Sequence, residues 1–361
     1  MSILNIMWAG GSAFASVQKV HQQILSHAVC HAPINTWLLQ GGAEDGEPVR
    51  VWNFSSAQLK GRHLWKLLMP LMRARFYKAM PEDVEIVLLD GVGVARVMLP
   101  VLKRLPQVRA VVVFHGATRL RRADQKLFDQ FPASHLTLAA VSQTLAHSLE
   151  RYLKRPVAVL RSAFDPVAFR AAALSREQAR SRLDLPLEGS PVLGAVGRLV
   201  DGKGFGCLLE AFAGVSADQP AARLVIIGEG PARPALEARI EELGLQGKVS
   251  LPGHLPDAAT LYRAFDWVAI PSTEEGLGLI LQESVMAGVP VLTSELAVFR
   301  EQLADAGWYA PSDDTQAWGR LMERAFATSA EGVVEDQSRA LAPEQAWKEF
   351  SETSQRLFSC R

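Results

Sequence analysis

Two glutamates lie eight positions apart, on either side of a predicted helix start. Glu275 and Glu283 belong to the segment Asp266–Ser294, whose pattern predicts a buried strand at Trp267–Ile270, a turn with two glycines and an apolar helix at Leu279–Ala287. The turn leaves backbone N–H groups open at the helix start, where an anion such as a phosphate is favoured. Carboxylates repel a phosphate, so we expect both glutamates to accept hydrogen bonds from hydroxyl groups. A diphosphate with a sugar at each end fits this pattern.

Two cations lie five positions apart on a second glycine-bearing loop. Arg198 and Lys203 follow the predicted strand Val192–Gly197. Cations at this spacing can bind both phosphates of a diphosphate and stabilise the charge that develops on it when it leaves. The two loops therefore predict a single diphosphate site.

The sequence of these segments resembles that of the retaining glycosyltransferases of the GT-B fold, family 4 (group 1), of the lipopolysaccharide-core and polysaccharide type. The resemblance rests on Pro-Ser-x-x-Glu-Gly-x-Gly-Leu with Glu-x7-Glu and Ala-Gly-x-Pro-Val, on Gly-Arg-Leu…Lys-Gly, and on Gly-x-Gly-Pro. It covers most of residues 190–310 and, more thinly, the rest. It implies an α/β fold of two Rossmann-like, doubly wound parallel-sheet domains that face each other across a cleft. We expect an acceptor-side domain at 1–165, a nucleotide-sugar domain at 166–342, and a last helix at 343–361 that crosses back to the first domain.

The resemblance also implies roles for individual residues. Glu275 would bind hydroxyls of the donor sugar and, with His115 at the end of a predicted strand, form the catalytic pair. The remaining donor-binding residues would contact the diphosphate, the ribose, the base or the far side of the sugar: Gly11, Arg198, Lys203, Gly276, Leu277, Gly278, Leu279, Glu283, His254 and Leu255.

The implied reaction moves a hexosyl group from a UDP- or GDP-linked sugar to a glycan or glycolipid, with retention at the anomeric carbon. The chain contains no Asp-x-Asp sequence, so we expect neither a metal ion nor another cofactor at the diphosphate. Two alternatives stay open: a catalytically silent sugar-nucleotide-binding or scaffold protein, and a GT-B nucleotide-sugar epimerase. The silent protein would be expected to have lost the cations or the carboxylate pair, and both pairs are present.

Charge is unevenly distributed along the chain. Residues 1–160 hold 19 Lys and Arg against 10 Asp and Glu, a net +9, and residues 161–361 hold 19 against 28, a net −9. Six of the positive charges lie in residues 60–78 among apolar residues: Lys60, Arg62, Lys66, Arg73, Arg75 and Lys78. This stretch suits an anionic membrane surface, or equally a core helix with a solvated basic face. Pro70 is expected to kink or break any helix there.

The 361 residues and three scattered cysteines indicate about two soluble domains in a reducing compartment. No apolar run reaches the ~18 residues of a membrane span, and no Lys or Arg precedes Lys19 as a signal peptide would require. We therefore expect a cytoplasmic protein, or one held peripherally at the inner face of the cytoplasmic membrane. No pattern indicates a nucleic-acid partner.

Overall fold

The computed structural model describes residues 2–8, 14–27, 33–41, 49–60, 65–116 and 118–358. The chain divides into two compact units. The first contains Met1–Arg161 and Glu349–Arg361, and the second contains Ser162–Lys348. The borders of these units lie at 161/162 and 348/349, and those expected from the sequence lie at 165/166 and 342/343.

The first unit is built on a parallel sheet, which has seven strands within the described ranges. The strands are β1 Ser2–Met7, β2 Ile34–Leu38, β3 Val49–Val51, β4 Val84–Asp90, β5 Arg109–Phe114, β6 Leu136–Ala140 and β7 Ala158–Val159. Their spatial order is β3-β2-β1-β4-β5-β6-β7, and each neighbouring pair is parallel. The order changes direction between β1 and β4. Ligands of open parallel sheets bind at such a switch point, beyond the carboxyl ends of the strands.

Helices connect these strands: α1 Phe14–Ser26, α2 Ser56–Leu59, α3 Trp65–Ala79, α4 Gly91–Leu102, α5 Arg122–Phe128 and α6 Gln143–Leu153. Strands β4 and β5 are almost continuously apolar because parallel sheets are covered on both faces. The strand predicted to end at His115 is confirmed as β5, which ends one residue earlier, at Phe114. The side chains of β4 and β5 and the apolar face of α4 form the main core of the unit.

Helix α3 contains Pro70 in its interior. Of the kink or break predicted at this proline, the break does not occur, because a single helix runs from Trp65 to Ala79. A proline inside a helix removes one backbone hydrogen bond and typically costs roughly 3 kcal/mol. The buried side chains of Met72 and Phe76, one turn apart, offset that cost by anchoring the helix in the core.

The second unit is built on a parallel sheet of six strands in the part of the chain that is described. The strands are β8 Val192–Val196, β9 Arg223–Ile227, β10 Val249–Gly253, β11 Trp267–Ile270, β12 Val291–Ser294 and β13 Trp308–Ala310. Their order is β10-β9-β8-β11-β12-β13, so the switch point lies between β8 and β11. The predicted strand at Trp267–Ile270 is confirmed in full.

The helices that follow the first unit are α7 Pro166–Ala172, α8 Arg176–Arg182, α9 Phe205–Asp218, α10 Arg233–Glu242, α11 Leu279–Met286, α12 Ala297–Leu303, α13 Thr315–Phe326, α14 Ala330–Leu341 and α15 Pro343–Phe358. Helix α15 spans the border at residue 348, and its later part belongs to the first unit. There, Phe350 and Phe358 are buried, and Arg109 donates a hydrogen bond to the carbonyl of Leu357 at 2.9 Å. No helix among the described residues has both the length and the hydropathy to cross a membrane.

Candidate active site

The predicted donor-binding loops of the second unit follow two neighbouring strands. Strand β8 leads into the loop of Arg198 and Lys203, and β11 leads into the turn of Glu275. The two strands pair in parallel, with Trp267 beside Leu193, so both loops leave the carboxyl edge of the sheet at its switch point. The topology therefore brings together two segments that lie about 70 residues apart in the sequence.

A glycine holds the loop after β8 against the turn after β11. Gly204 ends the short 3-10 turn Asp201–Lys203 in the left-handed conformation, with φ of 69°. A Cβ atom at this position would lie 2.1 Å from the carbonyl oxygen of Pro271, so only glycine permits this approach. The backbone N–H of Thr273 donates to the carbonyl of Gly202 at 3.0 Å and ties the same two segments together.

Lys203 and Glu275 are in direct contact. The ammonium group of Lys203 binds Oε1 of Glu275, and the hydroxyl of Ser272 donates to the same oxygen at 2.9 Å. Both charged side chains are mostly buried. Arg198 differs from Lys203, because its side chain is exposed and has no hydrogen-bond or ion-pair partner among the described residues. The loop thus presents one restrained cation and one unrestrained cation.

The helix that follows this turn has an uncapped N-terminus. Helix α11 begins after Gly278, which has φ of 78° and no side-chain cap. A Cβ on Gly278 would lie 2.5 Å from the ring of Phe299, so close packing also requires a glycine here. Within the described ranges, the backbone N–H groups of Leu279 and Ile280 have no acceptor. Open N–H groups and the helix dipole make this end a favourable position for a phosphate.

Glu283 lies one turn into α11 and accepts a hydrogen bond from a buried tyrosine. The hydroxyl of Tyr262 donates to Oε2 of Glu283 at 2.8 Å. Burial, followed by the nearby carboxylate, raises the pKa of Tyr262 well above its usual value. The phenol therefore keeps its proton and holds the Glu283 carboxylate in one orientation.

The loop after β10 contains His254 and Leu255, two of the predicted donor-binding residues. His254 is exposed, and Leu255 is half-buried against the core of the second unit. Beside them Arg233 binds Glu229 at 2.8 Å and the carbonyl of Leu251 at 3.1 Å, which fixes the start of the loop.

In the first unit, His115 belongs to a partly buried polar cluster at the switch point between β1 and β4. Its Nε2 lies 3.0 Å from Nε2 of His21 and 3.9 Å from Oδ1 of Asp90. On the far side of His21, Nδ1 lies 2.7 Å from Oδ1 of Asn5. Burial lowers the pKa of both histidines, with the neighbouring His115 adding to the effect on His21, so both imidazoles are neutral near pH 7.

The six cations of residues 60–78, predicted to face a membrane or an acceptor, differ in their surroundings. Lys60 lies 5.9 Å from the ring of Trp8, whereas Arg75 and Lys78 are exposed on α3. Arg73 is half-buried, and its burial lowers its pKa. Gly11 and Arg62 lie outside the described residues, as does the side chain of Lys66.

Four residues of these sites were missed by the sequence analysis. Tyr262 and Ser272 orient the two glutamates, and Asn5 and His21 complete the cluster of the first unit. His21 lies on a helix with apolar spacing, where a histidine carries no specific signal. Ser272 belongs to the motif Pro-Ser-x-x-Glu-Gly and lies three positions before Glu275. A hydroxyl at that spacing is the signal that could have predicted its hydrogen bond to the glutamate.

Comparison with known proteins identifies the family. The model of the family described as glycosyl transferases group 1 matches residues 177–359, which is half of the chain. The chain belongs to the group 1 glycosyl transferases. The matched range contains every donor-binding residue predicted for the second unit.

Individual glycosyltransferases are similar to this chain over different lengths. The chain is 28% identical over 287 residues to the 2-deoxystreptamine glucosyltransferase of Streptomyces kanamyceticus, across 75% of this chain and 73% of the relative. It is 30% identical over 153 residues to the lipopolysaccharide core biosynthesis glycosyltransferase LpsE of Rhizobium meliloti, across 42% of this chain and 44% of the relative. The structure of Anabaena Alr3699/HepE in complex with UDP and glucose superimposes with a TM-score of 0.76 and 18% identity, across 98% of this chain and 99% of that chain. This likeness shows the fold, which is GT-B.

Proposed function

We propose that this glycosyltransferase moves a hexosyl group from a UDP- or GDP-linked sugar to a glycan or glycolipid, with retention and without a metal ion. One observation carries the proposal: the Lys203–Glu275 contact joins the cationic loop and the carboxylate turn beside the open start of α11. A diphosphate at this edge would meet Lys203, Arg198 and the N–H groups of the helix. These groups stabilise the charge that develops when the diphosphate leaves.

The assignment within the donor follows from the position of each carboxylate. Glu275 lies on the turn, so it would accept hydrogen bonds from hydroxyls of the transferred sugar. Glu283 lies inside α11 and is oriented by Tyr262, so it would bind the ribose. In the proposed step, the bond from the anomeric carbon to the diphosphate oxygen breaks. The acceptor oxygen bonds to the same face of that carbon, and its proton passes to the leaving phosphate.

Two observations support a membrane-linked acceptor, as in lipopolysaccharide or other surface polysaccharide synthesis. LpsE is a relative in lipopolysaccharide core biosynthesis. In addition, helix α3 exposes apolar side chains beside its basic ones: Leu67 is 76% exposed and Leu71 is 65% exposed. A surface with both apolar and cationic side chains suits an anionic bilayer. We propose that the protein is cytoplasmic and attaches there through α3.

The function is tested by incubating the purified protein with a panel of UDP- and GDP-sugars, with and without a lipid-linked glycan acceptor. We expect acceptor-dependent release of nucleoside diphosphate for one donor, and a product with the anomeric configuration of that donor. Binding of a donor without turnover would favour a silent protein, and interconversion of the donor sugar without transfer would favour an epimerase. An inverted product would overturn retention alone.

A further inference from the structure

The cluster around His115 brings three side chains that can bind a metal ion close together. His21, Asp90 and His115 each present one nitrogen or oxygen, and these three atoms lie within 4.8 Å of one another. The side chains come from three elements, α1, the end of β4 and the residue after β5, and they meet at the switch point of the sheet. No other group of three such residues converges within the described ranges.

Two of the three separations between the ligating atoms are close to those of a coordination sphere. Zinc binds imidazole nitrogen at about 2.0–2.1 Å, which places two donors of a tetrahedral site about 3.4 Å apart. The two Nε2 atoms are 3.0 Å apart, and Nε2 of His115 lies 3.9 Å from Oδ1 of Asp90. The third pair, formed by the ligating atoms of His21 and Asp90, lies within 4.8 Å, so these two atoms would approach by up to roughly 1.4 Å for all three to bind one ion.

Neighbouring groups orient two of the three ligands. Oδ1 of Asn5 can only accept a hydrogen bond, so Nδ1 of His21 carries the proton and Nε2 presents its lone pair toward His115. The backbone N–H of Trp8 donates to Oδ2 of Asp90 at 3.2 Å, which leaves Oδ1 toward the histidines. Metal ligands in proteins are typically held this way, by a partner on the atom that does not bind the ion.

We propose that His21, Asp90 and His115 form a binding site for one divalent transition-metal ion of the zinc type. Two neutral imidazoles and one carboxylate suit zinc, cobalt or nickel better than magnesium or calcium, which prefer oxygen ligands. The ion takes the place of the proton that otherwise lies between the two Nε2 atoms, and that proton moves to Nδ1 of His115, so both imidazoles stay neutral. It carries no step of the transfer reaction, whose diphosphate site is in the second unit.

The site has a consequence for activity that rests on the proposed function. If His115 contacts the donor sugar, an ion on its Nε2 fixes the ring and competes with that role. Zinc is then an inhibitor of the enzyme, and a chelator restores the rate.

Zinc binding is measured directly, by equilibrium dialysis of the full chain followed by metal analysis and by titration calorimetry. We expect one ion per chain. His21→Leu and Asp90→Asn should lose the ion, and Asn5→Ser should keep the stoichiometry but weaken binding about 10- to 100-fold. His147→Ala removes an exposed histidine of the same unit and is the matched control.

Circular dichroism and thermal unfolding show whether each variant is folded, and Asp90→Asn is the decisive one because it preserves the shape of the side chain. Absence of stoichiometric zinc, or zinc that survives Asp90→Asn and His21→Leu, would overturn the site. If zinc binding is lost in these variants but zinc does not change the transfer rate of the wild-type protein, the site stands and only the role of His115 in transfer is overturned. Loss of all transfer activity in the metal-free protein would count against the proposed function instead.

Discussion

The ammonium group of Lys203 binds the carboxylate of Glu275, although the two residues lie 72 positions apart. Each belongs to a loop that leaves the sheet next to the other, and Gly204 permits their close approach. The contact neutralises a carboxylate that would otherwise repel a diphosphate. It also holds a cation at the place where the leaving group would gain charge.

Removing either cation of the loop should abolish most transfer. We expect Lys203→Ala and Arg198→Ala to lower kcat by about 10²-fold or more, since one stabilising group at developing charge is worth on the order of 3 kcal/mol. Both variants should also bind the free nucleoside diphosphate more weakly, as measured by calorimetry. Arg320→Ala, an exposed cation on α13, is the control. Turnover near the wild-type rate in either loop variant would refute the phosphate assignment.

The two glutamates should separate rate from affinity. Glu275→Ala frees Lys203, so it should retain nucleoside-diphosphate binding while transfer falls about 10²-fold. Glu283→Ala removes the proposed ribose contact and should raise the Kd of the nucleoside diphosphate at least tenfold. Tyr262→Phe should raise it less, because the carboxylate remains but loses the hydrogen bond that orients it. If calorimetry shows that Glu275→Ala weakens nucleoside-diphosphate binding more than Glu283→Ala does, the sugar and ribose roles of the two glutamates are exchanged.

Two nearby glycines provide a matched test of loop geometry. Gly204→Ala should displace Lys203, because the new Cβ would meet the carbonyl of Pro271 at 2.1 Å with φ at 69°. Gly206→Ala, two residues later in α9, meets nothing within 4 Å and should be neutral or stabilise the helix by up to about 1 kcal/mol. Thermal unfolding and transfer rates of the pair check this. Equal behaviour of the two variants would show that the approach at Gly204 is dispensable.

Transfer should proceed in EDTA. Lys203, Arg198 and the N–H groups at the start of α11 supply positive charge at the diphosphate, so no divalent ion is needed for the leaving group. Initial rates are compared after dialysis against EDTA, with and without added magnesium. A tenfold or greater loss that magnesium restores would contradict this expectation.

Helix α3 should bind anionic vesicles through both charge and apolar contact. Each Lys or Arg near an anionic leaflet contributes roughly 1 kcal/mol, screened by salt. Neutralising Lys60, Arg62, Lys66, Arg73, Arg75 and Lys78 should therefore abolish sedimentation with phosphatidylglycerol vesicles at low salt.

Two double variants extend the vesicle assay: one tests the apolar contribution to binding, and the other is the control. Leu67→Ser with Leu71→Ser should weaken binding at high salt as well, because burial of two leucines is not screened. Arg151→Gln with Lys154→Gln, exposed cations of the same unit, should change little. Equal binding to neutral vesicles, or no effect of the six neutralisations, would leave α3 as an ordinary solvated face.

Much of the second unit could be predicted because its signals are local. The apolar run of β11, the glycines of the turn and the apolar helix α11 follow one another within 20 residues, and periodicity identifies each. The partners of the charged residues could not be predicted. Tyr262 binds Glu283 across 21 positions and His21 approaches His115 across 94, so only the order of strands in the sheets brings them together.

The basic stretch shows a different limit. Its pattern allowed a membrane face or a core helix, and helix α3 has features of both: Met72 and Phe76 are buried while Leu67 and Leu71 are exposed. Composition does not determine which apolar residues face the core. The packing of the helix against the sheet does.

The border inside α15 has a consequence for synthesis on the ribosome. The first unit is translated first, yet it includes Glu349–Arg361 and buries Phe350 and Phe358 from that stretch. Residues 162–348 must be made in between, which takes roughly 10 to 40 s at 5–20 residues per second. During that interval the nascent first unit lacks its closing aromatic residues and exposes the apolar surface that they later cover. The second unit can complete its fold before the first, so the unit whose first residues are made earlier is completed later.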